Sequence, residues 1–451
     1  MKQLFLSVFI GFASAATAAP QKTALDRYVA QPDSAYKYSL EYTVPVPASG
    51  ANIHVLRMTS QRWLTKAEVN RPEWQHWLTI VVPGNVRHTT GLLYIGGGQN
   101  DGRPLVPRKE LIGTALATQS VVAEIQMVPN QPLIFAGEKR QRSEDAIIAY
   151  SWDKFLKTGD EKWPLRLPMT KAAVRALDTV TAFMKSKAGG GLKVDRFVVT
   201  GASKRGWTTW STAAVDKRVV AIVPIVIDML NVVPSFQHHR AAYGFYAPAV
   251  HDYTEVRIMD WLDKPAFDKL KRIEDPYEYR DRLTMPKFIL NSAADQFFLP
   301  DSWRFYWKDL KGPKHLRYVP NTGHSLRDSD ALDSLVAYYH AILTRTPLPR
   351  YEWAVEKTGA LIVRTPDKPS AVRVCRATNP KARDFRIDQT GPIWKSTALR
   401  PRADGAYHAP AVRPPKGWTA SFIELTFPGK VKPFKFTTGV VVLPVTLPFA
   451  K

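Results

Sequence analysis

Tyr36, Tyr38, Leu40 and Tyr42 are separated by polar partners, an alternation that predicts a strand over Tyr36–Thr43 with one covered face. A second strand is predicted at Ile53–Thr59, after which near-continuous apolar runs replace the alternation at Trp77–Val82, Gly91–Ile95 and Ser120–Gln126. Each of these three runs ends in turn residues, Pro83-Gly84-Asn85, Gly96-Gly97-Gly98 and Pro129-Asn130, and helical spacing occupies Arg108–Thr118 between the last two. The period is helical again over Ser143–Phe155 and Lys171–Lys187, with a proline-containing linker at Trp163–Met169. Strand-like runs then recur at Phe197–Val199, Val219–Ile227, Lys287–Asn291 and His315–Val319, and a helix is predicted at Asp330–Leu343. Apolar strands alternating with helices predict a mostly parallel sheet covered on both faces.

The strand rhythm lapses from Asp228 to Met285, a stretch rich in aromatics that carries His238, His239 and His251. An excursion at the C-terminal end of a strand lies beside the crevice of such a sheet, so a helical cap over a substrate pocket is expected at about 228–285. After Thr344–Arg350, the run TRTPLPR, the pattern changes. Gly359–Arg364, Ala371–Arg376, Ala420–Phe427 and Phe434–Leu443 are alternating or β-branched and separated by turn residues, as in a small all-β sandwich. The expected division is a main domain over 19–345, with the cap inserted, and a β-sandwich over 346–451.

Composition adds compartment and charge. A lysine at position 2, an apolar run Leu4–Phe12 and the small residues Ala16 and Ala18 form a secretory signal, with cleavage expected after Ala18 and a periplasmic or secreted mature protein. The apolar run is shorter than the ~20 residues of a membrane span. Cys375 is the single cysteine, which excludes an internal disulfide and cysteine-based zinc sites. The 63 Lys and Arg outnumber 40 Asp and Glu, and the excess is scattered. Such a charge favours a solvated surface with electrostatic attraction to anionic envelope polymers; no nucleic-acid motif accompanies it.

The candidate chemistry centres on DRFVVTGASKRGWTTW, Asp195–Trp210, where a strand, a sharp turn with Ser203 at its apex and a helix follow one another. This nucleophile-elbow layout lifts a hydroxyl to where a base can take its proton. The partners are expected in the order Ser, acid, His: Asp295 follows Phe288-Ile289-Leu290, and His324 follows a strand and sits behind Gly323. Ser203 would attack, His324 would carry the proton and Asp295 would hold the imidazole. Asp301 and Asp228 are the competing acids, and adjacent His238 and His239 point apart on a helix, so no metal and no cofactor are expected. The elbow departs from G-x-S-x-G, with its second glycine late at Gly206 and Arg205 where glycine is usual. The Lys204 backbone N–H and those of Gly97 and Gly98 are the candidate oxyanion donors, with Pro83-Gly84 the lesser choice. Arg205 and Arg240 are candidates for binding an anionic part of the substrate.

In YIGGGQN (94–100), WPLRLPMTKAAVRALD (163–178), GASKRGWT (201–208), EDPYEYRDRLTMPKFILN (274–291), DQFFLPDS (295–302) and PNTGHSL (320–326) the chain resembles the PhoPQ-activated pathogenicity-related protein family. The resemblance spans most of Tyr28–Leu343 and implies an α/β-hydrolase fold with Ser203, Asp295 and His324 at the triad positions. The elbow is also similar, more distantly, to the G-x-S-R-x-G of glucuronoyl esterases, where the basic residue after the serine assists the oxyanion hole, a place held here by Lys204. The expected activity is hydrolysis of a small-molecule or envelope-derived ester, or an amide, through an acyl-enzyme. The alternatives are a serine peptidase, since a catalytic domain joined to a β-domain occurs among exopeptidases, and an envelope-binding or signalling protein with a vestigial triad.

Overall fold

Nine strands form the central sheet of the computed structural model, which describes residues 22–101 and 108–450. In chain order they are β1 (Lys37–Val46), β2 (Ala51–Arg62), β3 (Glu73–Val82), β4 (Thr90–Ile95), β5 (Val122–Ile125), β6 (Arg196–Ala202), β7 (Val219–Ile225), β8 (Lys287–Ser292) and β9 (Lys314–Val319). In space the order is β1-β2-β3-β5-β4-β6-β7-β8-β9. From β5 onward every pairing is parallel, and β1, β2, β3 and β5 pair antiparallel. The inner strands are apolar on both faces because both are covered, and β5 and β8 are buried at every position. One apolar cluster, containing Leu56, Leu78 and Val199, lies on one face of the sheet, and a second, containing Val55, Val81 and Val198, lies on the other. The expected signal segment falls outside the described residues. Among the described residues no helix is long and apolar enough to cross a membrane.

The covering helices are α1 (Ala24–Ala30), α2 (Lys109–Thr118), α3 (Asp145–Thr158), α4 (Arg166–Lys185) and α5 (Lys204–Val215). Helix α4 starts five residues earlier than its apolar spacing suggests, because Pro168 falls in the first turn, where its missing N–H has no intrahelical acceptor to lose. Between β7 and β8 the chain leaves the sheet as α6 (Val232–Tyr243), α7 (His251–Glu255) and α8 (Pro265–Glu274), the cap insertion. Helix α9 (Ala331–Thr344) follows β9.

The C-terminal region is all β apart from one helical turn. It comprises β10 (Glu352–Val355), β11 (Leu361–Arg364), β12 (Ala371–Asn379), β13 (Lys395–Ala398), β14 (Tyr407–Ala409), β15 (Trp418–Phe427), β16 (Phe434–Thr437) and β17 (Val441–Leu443). β10, β11 and β14 form one sheet and the others a second, built around the β12–β15 pair. The apolar run at Phe434–Leu443 is two strands rather than one. Gly439 interrupts it where the Trp303 ring packs so closely that a Cβ would sit 2.2 Å away, and the Trp303 indole donates to the Val440 carbonyl at 2.8 Å.

Candidate active site

Close packing builds the elbow. Ser203, between β6 and α5, adopts φ 59° and ψ −128°, a conformation that costs of order 1–3 kcal/mol for a residue with a Cβ. A Cβ on Gly201 would meet the Arg205 carbonyl oxygen at 2.8 Å, and one on Gly206 would meet Ile227 at 2.7 Å. Strand and helix therefore approach too closely for a side chain at either position. The Ser203 N–H donates to the Ile225 carbonyl at 2.8 Å, which ties the apex to β7. Arg166, fully buried at the start of α4, donates to the Lys204 carbonyl at 2.8 Å and to the Thr208 hydroxyl at 2.9 Å. The first turn of α5 is thereby fixed, with its leading N–H groups free of intrahelical partners.

Asp295 and His324 leave the C-terminal ends of the neighbouring strands β8 and β9. The Asp295 carboxylate accepts from His324 Nδ1, its two oxygens at 3.0 and 2.9 Å, and from the Phe297 N–H at 2.7 Å. With Nδ1 engaged, Nε2 is the nitrogen left to exchange a proton. The His324 N–H donates to Gln296 Oε1 at 2.8 Å. Gly323 is required here, since a Cβ would lie 2.8 Å from Gln296 and 3.0 Å from Ile387. The Phe297 ring lies 4.2 Å from the imidazole, centre to centre. Among the described residues Ser203 makes no hydrogen bond to His324.

The Gly96–Gly98 loop follows β4, beside β6. Its carbonyls are engaged by the Val128 and Met127 N–H groups at 3.1 and 2.8 Å and by the Gln131 amide at 3.0 Å. The N–H groups of Gly97 and Gly98 have no acceptor among the described residues, and Gly98 holds φ 115°, open only to glycine. The Arg205 guanidinium lies against this loop, 2.7 Å from where a Cβ on Gly97 would be.

Arg205 and Arg240 occupy places different from those expected of substrate ligands. The Arg205 side chain points neither outward nor into the crevice; Nε donates to the Val128 carbonyl at 2.6 Å and a terminal nitrogen to Glu144 at 2.6 Å. It braces the glycine loop against α5. Arg240 is exposed on α6, near the Tyr246 ring and off the wall of the cavity beside Ser203. Lys204 is buried, and its ammonium pairs with Glu144 at 2.8 Å and Asp145 at 2.9 Å. Burial would raise the Glu144 pKa, but Lys204 and Arg205 outweigh it and hold the carboxyl well below the usual range.

The competing acids are committed elsewhere. Asp301, fully buried, pairs with Arg383 of the C-terminal region at 2.6 Å, with His238 Nε2 at 3.0 Å and with Arg304 at 3.2 Å. Burial opposes its ionisation, yet Arg383 and His238 hold it well below the carboxylate range. Asp228 lies between the hydroxyls of Tyr306 and Tyr318, each 2.5 Å away, and burial pushes its pKa up to about 8. His239 takes a different partner from His238, accepting from the Ala247 N–H at 2.9 Å. Among the described residues no group of three His, Cys, Asp or Glu side chains is placed to hold a metal ion.

A cavity of ≈ 30 Å³ adjoins Ser203, Lys204 and Asp145, walled by Trp152, Trp207, Phe236 and Tyr253. Phe297 and Phe298 line it too, and both rings contact His324, so one aromatic surface joins the serine to the histidine. Glu144 and Asp145, the partners of Lys204, escape the sequence reading. Their one local signal is a carboxylate pair opening a helix, which equally reads as complementing a helix N-terminus.

A model of the family described as PhoPQ-activated pathogenicity-related protein matches residues 25–386. Autocrine proliferation repressor protein A of Dictyostelium discoideum is 38% identical over 458 residues, spanning 95% of this chain and 92% of its own. Among solved structures, an acetyl xylan esterase from Paenibacillus sp. R4 superposes with a TM-score of 0.50 at 15% identity, over 72% of this chain and 96% of that one. Acetyl xylan esterase 1 from Thermoanaerobacterium sp. gives a TM-score of 0.49 at 16% identity, over 71% and 92% of the two chains.

Proposed function

The chain belongs to the PhoPQ-activated pathogenicity-related protein family and has the α/β-hydrolase fold, and from that premise we propose that it is a serine hydrolase cleaving a carboxylic ester through an acyl-enzyme. The observation that carries this reading is the Asp295 carboxylate on His324 Nδ1, at the ends of the strands that follow the Ser203 elbow. In the proposed reaction His324 Nε2 takes the Ser203 proton as Oγ attacks the carbonyl carbon, and Asp295 stabilises the imidazolium. Negative charge collects on the carbonyl oxygen, towards which the N–H groups of Lys204 and of Gly97 or Gly98 are directed. His324 then protonates the departing alcohol, and water releases the acid by the reverse sequence. Lys204 and Arg205 serve this centre as braces held by Glu144, so neither of these two is left unpaired for a substrate carboxylate.

A fluorophosphonate probe is expected to label the wild-type protein at Ser203 and to leave Ser203→Ala unlabelled. Labelling that persists in Ser203→Ala sinks the assignment. The name of the Dictyostelium relative, a proliferation repressor, favours a second reading in which the chain acts as a signal whatever its turnover. That reading requires Ser203→Ala to signal as well as wild type does.

A further inference from the structure

Resting on the serine-hydrolase reading, we propose that the cavity beside Ser203 is an acyl site taking a short, uncharged acyl group of two or three carbons. The walls set the chemistry. Trp152, Trp207, Met229, Phe236, Tyr253 and Phe298 are all buried, so the wall facing the serine is apolar and narrow. An alcohol leaving group must reach solvent while the acyl group stays attached to Ser203. A narrow, apolar chamber therefore suits the acyl half of the ester, and the alcohol takes the solvent side.

The volume sets the length. About 30 Å³ is free, and a water-sized sphere takes up ~10–15 Å³ on that measure, so a methyl or ethyl group fills the chamber. Longer chains would have to part rings already in contact. Trp152 stacks on Trp207 with centroids 6.2 Å apart and is met edge-on by Phe267 at 6.1 Å, and forcing extra methylenes into such packing is unfavourable.

The charged groups at the wall already face counter-charges. The two Asp145 oxygens accept from the Tyr253 hydroxyl and from Lys204, each at 2.9 Å. A charged acyl group would find Lys204 paired with Glu144 and Asp145, and Arg166, the other cation on the wall, facing Glu274 at 3.4 Å. In the step proposed, the Ser203 Oγ–acyl bond forms as His324 accepts the hydroxyl proton, and the ester C–O bond breaks as that proton passes to the alcohol. Water then adds to the acyl-serine, releasing a short carboxylic acid and restoring the hydroxyl.

The test compares kcat/KM of the full chain on 4-nitrophenyl acetate, propionate, butyrate, hexanoate, octanoate and hemisuccinate, each corrected for spontaneous hydrolysis. In parallel, the rate of Ser203 modification is measured with fluorophosphonates carrying ethyl or octyl chains on phosphorus. Activity should peak at acetate or propionate and fall at least tenfold by hexanoate, with hemisuccinate at least tenfold below propionate and ethyl reacting faster than octyl. Met229→Ala should move the optimum to longer chains; the wild-type series decides the matter even where that variant does not fold. Modification of Ser203 with a flat or inverted chain-length order overturns the acyl site and leaves the hydrolase reading standing. Absence of modification by every probe overturns both.

Discussion

Two buried carboxylates, Asp295 and Asp301, follow β8 six residues apart, and exchanging each for asparagine tests which one serves the imidazole. Asp301→Asn leaves the Arg383 guanidinium, 2% exposed, without the carboxylate 2.6 Å away, and its single remaining oxygen cannot serve both Arg383 and His238 as the two carboxylate oxygens do. Stranding a buried charge in this way costs about 3–5 kcal/mol, a large share of the ~5–15 kcal/mol that holds a typical protein together. Asp295→Asn keeps an oxygen for the Phe297 N–H but presents no anion to His324 Nδ1. Losing the orienting acid of such a triad lowers kcat by roughly 10⁴, or about 5.4 kcal/mol of barrier. Urea unfolding read by tryptophan fluorescence and kcat/KM on 4-nitrophenyl acetate separate the two effects. Asp301→Asn should unfold at much lower urea with kcat/KM within threefold of wild type, whereas Asp295→Asn should unfold near wild type and be almost inactive. The reverse pattern, an inactive but stable Asp301→Asn, would refute the assignment of Asp295.

Asp228 has a folded-state pKa of about 8 against an ordinary 3.8. The stability it contributes is therefore fully present below about pH 4 and is lost as the pH rises through 8, at up to ~1.4 kcal/mol per pH unit. Asp228→Asn should remove that slope, so that its Tm gains on wild type between pH 4 and pH 8; parallel Tm curves would contradict the raised pKa. Glu144→Gln leaves one oxygen to serve both Lys204 and Arg205. We expect kcat to fall about tenfold, ~1.4 kcal/mol, with KM within twofold, because the glycine loop shifts while the cavity walls stay; unchanged kcat would show that Arg205 does not brace the loop.

Legibility followed how local each cause is. Ser203, Asp295 and His324 lie at the ends of apolar strands just where the run gives way to glycine, asparagine or small residues, and both signals are written within a few neighbours of each residue. The same locality misled at Pro168, where a proline in the first turn of α4 looks like a linker. It also misled at Phe434–Leu443, where the break at Gly439 comes from a tryptophan 136 residues earlier in the chain. β13 is exposed at every position and carries no apolar pattern to read. The spatial order β5-β4-β6 is set by crossovers that periodicity does not encode. Lys204 and Arg205 stand out as free cations in the sequence because Glu144 reaches them from 61 residues before Arg205, and charge pairing over such a separation leaves no mark on spacing.

The placement of Arg383 and Trp394 bears on why the C-terminal strands accompany this site. Two loops that shape the crevice are held from that region, at three points. Arg383 anchors Asp301, the Ile387 N–H donates to the Ala294 carbonyl at 3.0 Å beside Asp295, and Asn321 exchanges two hydrogen bonds with the Trp394 backbone at 2.8 and 2.9 Å, three residues before His324. The last segment reaches the cap as well, the Phe449 N–H donating to the Ala241 carbonyl at 2.9 Å and the Phe449 ring lying against Gly244. A triad needs its acid and base held to within about half an ångström, and loops alone have little to fix them at a sheet edge. Residues 383–394 supply that second wall. The β region thus acts on the proposed chemistry through the loops carrying Asp295 and His324, and among the described residues it places no side chain of its own on the cavity beside Ser203.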